Sequence, residues 1–466
     1  MKIKVQVVIE SDGGDTKAVE NITCLERGRL RPEDLGLTLD EAKGLLESVH
    51  RPLVEQQVAE YLEQQAHCPC CGKKRLRKGD HSPLVYRTLF GKLRLRSVRL
   101  HHCACQPHPT RTFSPLAQLL SERTAPKLLY LETKFASLMS YGLTVDILQE
   151  VLPLGKTISA ATVRNNTHAV GKRIDNELGE EQVIFIDGCE HDWELLPRPG
   201  MPLTVGIDGG YVHSNSQRSR KEGWFEVIAG KSVTAEGASK RFAFVNNYDD
   251  KPKRRLFEVL KSQGMQPNQQ VTFLSDGADT VRDLQLYLNL NAEHLLDWFH
   301  ITMRLTVMRQ MAKGLGPSGF DLRDLALEEL ERIKWFLWHG NVFRALRTVA
   351  KLILDLDTDE PTAKVDKLFK KLEEFETYIG NNAGLIVNYG ERWRYGETIT
   401  TAFVESTINQ VVSKRMVKKQ QMRWSQQGAH LLLQIRTRVL NDELWETFHR
   451  WYPTFSKEEV PLKEAA

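Results

Sequence analysis

The chain has 466 residues, too many for one simple domain and enough for about three compact units. Apolar residues make up 41% and charged residues 27%, and no stretch approaches 18 uncharged apolar residues, which excludes a helical membrane span. Lysine and arginine number 64 against 60 aspartate and glutamate; taken alone, a net +4 argues against a dedicated polyanion binder.

Residues 1–66 open with an alternating strand, Lys2–Glu10, whose charged positions interrupt any apolar run, so no signal peptide is expected. A helical run from about Leu39 to Gln65 follows, expected to bend or break at Pro52. This region is acidic, at net −5. Residues 67–118 then carry 11 Lys/Arg and a single acid, Asp80, for net +10; VYRTLF and KLRLRSVRL read there as strands of a small β unit. From 125 to about 178 the period turns helical. Leu128, Leu131, Phe135 and Leu138 share one helix, Gly142 marks a turn, 144–152 forms a second helix, and Ser159 can cap a third from Ala160. Three helices with short breaks suggest a helix-turn-helix presenting Thr162, Arg164, Asn165 and Asn166; an ordinary helical linker has the same periodicity. From Val183 the pattern becomes β-rich (VIFIDG, LTVGIDGGYV, GWFEVIAGKSV, KRFAFVNNY, QQVTFLSDG), with helices interleaved from Pro252. A long helical region spans 305–395, and an amphipathic stretch, 400–441, returns to the mixed domain. Strands followed by strand–helix alternation imply an α/β or α+β sheet.

Seven cysteines include two close pairs, Cys68/Cys71 in C-x-x-C and Cys103/Cys105 in C-x-C, with the basic strands between them. This fits a reduced compartment and one tetrahedral structural zinc better than a disulfide scaffold. The second pair is a residue short of the commoner spacing, so Cys70, His67, His101, His102 and His108 stay open as ligands, as does a set of free thiols. Cys24 and Cys189 read as unligated.

Asp208 ends the apolar strand TVGIDGG and Asp276 ends VTFLSDG, each followed by glycine. Carboxylates so placed on neighbouring strands can share magnesium or manganese. Glu405, in TAFVESTINQVVSKR with Asn409 one helical turn on, is the candidate third ligand for a second ion. Asp187 competes with Asp208 and Asp279 with Asp276, and each Asp-Gly is also an ordinary turn signal. Residues 406–440 hold seven cations (Lys414, Arg415, Lys418, Lys419, Arg423, Arg436, Arg438) and no acid. A cationic tract beside a carboxylate cluster suits a nucleic-acid phosphodiester. Trp424 within it fits a base-stacking or a core role.

VGIDGGYV, FLSDGADTVRDL, HLLDWFHITMRL, TAFVESTINQVVSKRM and MRWSQQGAHLLLQIRTRVL together resemble bacterial insertion-sequence transposases of the ISKra type, a group of DDE transposases with an RNase H-like catalytic domain. The resemblance spans nearly the whole chain. It implies Asp208, Asp276 and Glu405 as the catalytic, magnesium-holding triad, and favours Asp208 over Asp187. It implies that Asp297 and His300 of Asp297-Trp298-Phe299-His300, with Asn409 nearby, position DNA. The spacing of 129 positions from Asp276 to Glu405 is too long for a minimal RNase H-like connection, so 305–395 reads as an insertion, with Trp335, Trp338 and Trp393 open as stacking or core residues.

The expected fold is therefore a multidomain α/β protein: an RNase H-like catalytic domain with an all-helical insertion, preceded by a zinc-ribbon-like β unit and a helix-turn-helix-like helical segment. The expected boundaries are 1–66 (strand and helix), 67–118 (zinc ribbon), 119–182 (helix-turn-helix), 183–304 and 396–450 (catalytic domain), 305–395 (insertion) and 451–466 (tail). The expected activity is binding of terminal inverted repeats, then cleavage and 3′-hydroxyl strand transfer into target DNA with two magnesium or manganese ions. The cations Lys414, Arg415, Lys418, Lys419 and Arg423 would hold DNA. The chain would work as a dimer or larger oligomer in the bacterial cytoplasm, on the nucleoid, without a membrane. A nuclease or resolvase without strand transfer uses the same metals, and a non-catalytic DNA-binding regulator would need only the ribbon and helices. A glycosidase with paired carboxylates is disfavoured by the basic tracts. The +4 is thus a cancellation: windows of +10 and +7 stand against −13 elsewhere.

Overall fold

The computed structural model divides the chain into two compact units, Met1–Val170 with Glu443–Ala466, and Gly171–Asp442. It describes all residues except 11–15, 30, 79–82, 106–109, 183–184, 186–187, 198, 201–202, 217–222, 235, 278–291, 316–319, 358–361, 418–421 and 456–466; side chains are further undescribed at 16–20, 34, 190, 320–321 and 405.

In the first unit, β1 (Lys2–Glu10) and β2 (Thr16–Glu26) form an antiparallel hairpin. The helix Leu39–Gln65 starts at a capping box, in which the Thr38 hydroxyl accepts from the Glu41 amide and the Glu41 carboxylate accepts from the Thr38 amide. Of the expected bend or break at Pro52 the break is absent: the helix runs on through it. One absent N–H is tolerated because Val54, Val58 and Leu62 pack against the apolar face of the next hairpin. That hairpin pairs β3 (Pro83–Thr88) with β4 (Gly91–Arg96), burying Leu84, Leu93 and Leu95 against Leu116. The short strands β5 (Leu100–His101) and β6 (Thr112–Phe113) follow. The helices Pro126–Leu138, Tyr141–Val151 and Ala160–Glu177 come next, the last continuing past Val170 into residues of the second unit, with Ser140 and Ser159 accepting from amides in the first turns of the second and third. Helix Leu444–Trp451 also belongs here: Phe448 is fully buried and meets Tyr130 edge-on. Residues 443–450 thus group with the first unit.

The second unit is built on a mixed five-stranded sheet whose strands lie in the order Ala292–Leu296, Val271–Ser275, Leu203–His213, Trp224–Val233, Ser239–Val245. β7 (Leu203–His213), β8 (Trp224–Val233) and β9 (Ser239–Val245) form an antiparallel meander. Helix Pro252–Ser262 then crosses over to β10 (Val271–Ser275), which lies parallel to β7, and β11 (Ala292–Leu296) adds in parallel to β10. Val205, Ile207, Phe242, Leu256 and Phe273 make the core between sheet and helix. A helical array, Trp298–Lys313, Phe320–Trp338, Val342–Leu356, Ala363–Asn381 and Tyr389–Arg394, has its own apolar core around Leu330, Leu352 and Leu372. Helix Ala402–Ile408, a π-helical segment Asn409–Val417 and helix Gln426–Leu440 return to the sheet. The chain is thus α/β and multidomain. Among the described residues no helix is long and apolar enough to cross a membrane.

Candidate active site

Asp208 does not end its strand: β7 continues through it to His213, and the glycines after it lie within the strand. They serve packing instead of a turn. Gly206, Asp208 and Gly210 share one face of β7. A Cβ on Gly206 would overlap Val404 Cγ2, and one on Gly210 would meet Ile408 Cγ2 at 3.4 Å. Helix Ala402–Ile408 therefore lies on the face from which the Asp208 side chain emerges, with Val404 and Ile408 against the glycines that flank it. Glu405 belongs to that intervening turn of helix; its side chain lies outside the described residues.

Register brings the second carboxylate to the first. β10 pairs with β7 so that Val271 faces Leu203 and Leu274 faces Gly206, an offset of 68 residues. Carried two residues further, that offset sets Asp276 level with Asp208. The β10–β11 register, Ser275 opposite Leu296, likewise sets Asp297 beside Asp276. Three aspartates thus stand in a row across adjacent strands. Asp208 and Asp276 line one cavity of about 500 Å³, together with His300, Arg304, Lys371 and Tyr378. Burial pushes the Asp208 carboxyl up, against a 2.7 Å hydrogen bond from the Gly209 amide; the charge of Asp276 raises it further, and His300 opposes this. The Tyr378 hydroxyl donates to the Asp276 carbonyl at 3.1 Å, and the Arg304 guanidinium stacks 4.0 Å over the Tyr378 ring. Two hard oxygen donors that repel one another inside a cavity fit a divalent cation.

Asp297 departs from its expected role. It is fully buried, caps helix Trp298–Lys313 by accepting from the Phe299 amide at 2.9 Å, and accepts from both the amide and the hydroxyl of Thr401. It cannot reach DNA, because its oxygens face the protein interior. His300 does line the cavity; Asn409 begins the π-helical segment and is half-buried. Asp187, Asp279, Lys418 and Lys419 lie outside the described residues. Lys414 and Arg423 are exposed. Arg415 is not: it is fully buried, its guanidinium 5.1 Å above the buried Trp424 ring. Arg436 is buried too and donates to the backbone carbonyls of Gln410 and Val411 in the π-helical segment. Carbonyls and an indole, invisible to a charge count, drew these two cations inward. Trp335 and Trp393 are exposed, whereas Trp338 packs on Trp298. In the third helix of the first unit, Arg164 and Asn165 are exposed, but Asn166 is committed to Glu132 and Thr124.

The four cysteines Cys68, Cys71, Cys103 and Cys105 converge, all Sγ atoms within 4.8 Å of one another. The separations Cys68–Cys105, Cys71–Cys103 and Cys71–Cys105 are 3.5, 3.4 and 3.5 Å. A tetrahedral zinc with bonds of about 2.3 Å needs sulfurs about 3.8 Å apart, so this donor set fits a closed structural ion. Gly72, at φ 68°, makes the knuckle, donating its amide to the Cys68 carbonyl. Amide hydrogen bonds from Cys71 and Cys70 hold the Cys68 thiol down to about 6, favouring thiolate. Cys70, His67, His101 and His102 are not part of the cluster, and His108 lies outside the described residues.

A second cluster, Asp175, Asp249 and His430, was not legible in the sequence, since its members come from distant elements. The cation there is already present. The buried Arg255 guanidinium donates to Asp175 at 2.8 Å, to Asp249 at 2.9 Å and to Gln434 at 2.6 Å. Burial pushes Asp175 up, but hydrogen bonds from His430 and Arg255 outweigh it and hold its carboxyl well below the usual range.

No protein-family model and no curated protein matches the chain. Among solved structures it is similar to NurA, at 13% identity over 55% of this chain and 74% of that one, with a TM-score of 0.12.

Proposed function

We propose that the second unit is an RNase H-like, metal-dependent phosphodiester enzyme. An antiparallel three-stranded meander flanked by two parallel strands on the side of its first strand supports that reading of the fold. More narrowly, the chain is a DNA transposase of the DDE type. The carrying observation is the in-register pair Asp208 and Asp276, opening into one cavity, with the helix of Glu405 packed across the glycines that flank Asp208.

Asp208, Asp276 and Glu405 would hold two magnesium or manganese ions, which supply activation of a water or 3′-hydroxyl and neutralise the leaving oxygen. Arg304 adds positive charge to the cavity wall, where a phosphodiester would lie, while Lys371 beside it is paired with Glu374. The four cysteines would hold a structural zinc that orders the basic segment around them. Terminal inverted repeats and target DNA are the proposed partners, with the chain acting as a dimer or larger assembly so that two ends are paired.

The test is the full chain with labelled DNA carrying the ends that flank its gene, with and without magnesium. Wild type should nick the ends and join their 3′-hydroxyls to target DNA, and Asp208→Asn, Asp276→Asn and Glu405→Gln should do neither. Nicking without joining would replace the transposase reading by a nuclease. Equal activity of wild type and the three variants would overturn both.

A further inference from the structure

The β3–β4 hairpin has two unlike faces. Burial alternates along β4: Gly91, Leu93 and Leu95 are buried, while Lys92, Arg94 and Arg96 are exposed. The antiparallel register sets Arg87 opposite Lys92 and Val85 opposite Arg94, and directly opposed residues share a face. Arg87, Lys92, Arg94 and Arg96 therefore stand together on one face, with no acid among the residues of either strand. Like charges directly opposite destabilise a strand pair, so packing of the hairpin does not account for this arrangement.

At one side of that face, Arg87 lines a cleft of about 410 Å³ with Arg99 and Arg123, floored by the hydroxyls of Ser97 and Ser114, which are 2.7 Å apart. None of the three arginines forms an ion pair among the described residues. Arg87 favours the anion of Glu132, yet that carboxylate spends its hydrogen bond on Asn166, at 2.6 Å. Arg87 Nε and Arg123 Nη1 are both buried without an acceptor. Two such donors are costly unless something accepts from them. Their positions are set by the backbone: Arg123 is held at φ 57°, rare for a non-glycine residue, and its carbonyl accepts from the Arg87 amide at 3.0 Å.

We propose that this cleft and the basic face beside it are an anchor for the phosphate backbone of DNA, with phosphate oxygens accepting from Arg87, Arg99 and Arg123. The proposal rests on the DNA-processing reading above and adds to it a second contact surface, remote in sequence from the carboxylates. A free phosphate would need the cleft alone. The charge continues along Lys92, Arg94 and Arg96, alternate residues about 6.8 Å apart on a strand, which suits a polymer of phosphates. Backbone contacts of this kind fix position and carry no base specificity.

Fluorescence anisotropy of the full chain with a labelled 30-base-pair duplex of arbitrary sequence, over a series of potassium chloride concentrations, tests this. Replacing all three arginines by glutamine (Arg87→Gln, Arg99→Gln, Arg123→Gln) should lower the slope of log K against log salt by about 2 and weaken binding at 0.1 M salt on the order of 50-fold. The matching triple lysine variant should keep most of the slope, which separates lost charge from lost folding. Removing three exposed charges elsewhere (Lys364→Gln, Lys367→Gln, Lys370→Gln) should leave the slope nearly unchanged. Inorganic phosphate at matched ionic strength should displace the duplex no better than chloride. An unchanged slope in the glutamine triple, an equal loss in the lysine triple or the remote control, or specific displacement by phosphate would each overturn the anchor while leaving the DNA reading standing. Failure of wild type to bind duplex even at low salt would overturn both.

Discussion

The Asp297 carboxylate accepts from the backbone amide and the hydroxyl of Thr401, 104 residues further along the chain. Thr401 immediately precedes the helix that carries Glu405, and Asp297 stands beside Asp276 at the end of the parallel strands. One buried side chain therefore ties the third candidate ligand's helix to the strand row that bears the other two. It acts as a positioning residue: its oxygens are spent on Thr401 and Phe299. Asp297→Ala should lower single-turnover DNA cleavage on the order of 100-fold, the scale of a misplacement of about 1 Å, while the duplex dissociation constant stays within about twofold. Asp297→Asn, which keeps an acceptor for the Thr401 amide, should recover part of the rate. Cleavage at the wild-type rate in Asp297→Ala would remove the clamp from the account.

Gly206 sets the distance between sheet and helix. A methyl group there would overlap Val404 Cγ2 and come within 2.9 Å of the Phe403 ring. Gly206→Ala should cost about 1–3 kcal/mol in urea unfolding, the usual range for overpacking, and should suppress cleavage by moving the Glu405 helix outward. Adding Val404→Ala should restore part of both, a coupling that a double-mutant cycle reads directly. Additive losses would mean that the two residues are not in contact.

Much of the site was legible, and the misreadings have physical causes. The apolar runs VGIDGG and VTFLSDG mark the two strands, and the spacing of 68 residues between their aspartates equals the register offset. Which strands pair is a tertiary fact, so that equality has no meaning until the sheet is known. Gly209 and Gly210 read as a turn because glycine is most often needed for backbone freedom; here Gly210 faces a helix, Gly209 faces Glu226 of the neighbouring strand, and the strand runs on. Arg436 and Arg415 read as surface cations because a charge count shows neither the π-helical carbonyls that satisfy the buried Arg436 guanidinium nor the Trp424 ring beneath that of Arg415. The Arg255 network was hidden because Asp175, Asp249 and His430 are separated by up to 255 residues.

The four cysteines predict a metal requirement confined to one part of the molecule. Native mass measurement should find one zinc per chain, lost in Cys68→Ser and Cys103→Ser. A strong chelator should raise amide exchange across residues 67–105 and leave exchange in β7 and β10 unchanged, because the sheet's core of Val205, Ile207 and Phe273 holds without it. Retention of slow exchange around the cysteines after complete zinc removal would show that thiol packing alone suffices.

Arg255 should be intolerant of replacement. Its removal leaves Asp249, whose side chain is 1% exposed, and Asp175 without their cation. Arg255→Leu should cost about 3–5 kcal/mol, whereas Lys253→Gln, on the same helix, should cost little. The folded-state value of Asp175 lies below its ordinary one, so its stabilisation is present above about pH 4 and is lost as acid is added below that. Urea midpoints that do not fall more steeply below pH 4 in wild type than in Asp175→Asn would rule this out.

Glu132 has the opposite sign. Burial pushes its carboxyl up to about 7, against the Asn166 hydrogen bond and the charge of Arg87, and Oε1 has no partner. The folded chain therefore holds this proton more tightly than the unfolded chain, whose glutamate titrates near 4.5. Stability from this group is complete below about pH 4.5, falls as pH rises towards 7, and is flat above. Glu132→Gln should be close to wild type at pH 4 and more stable at pH 8, by an amount on the order of 2–3 kcal/mol. Urea unfolding at the two pH values measures it. A difference between variant and wild type that does not change with pH would mean that Glu132 is ionised throughout, with its cost met by Arg87.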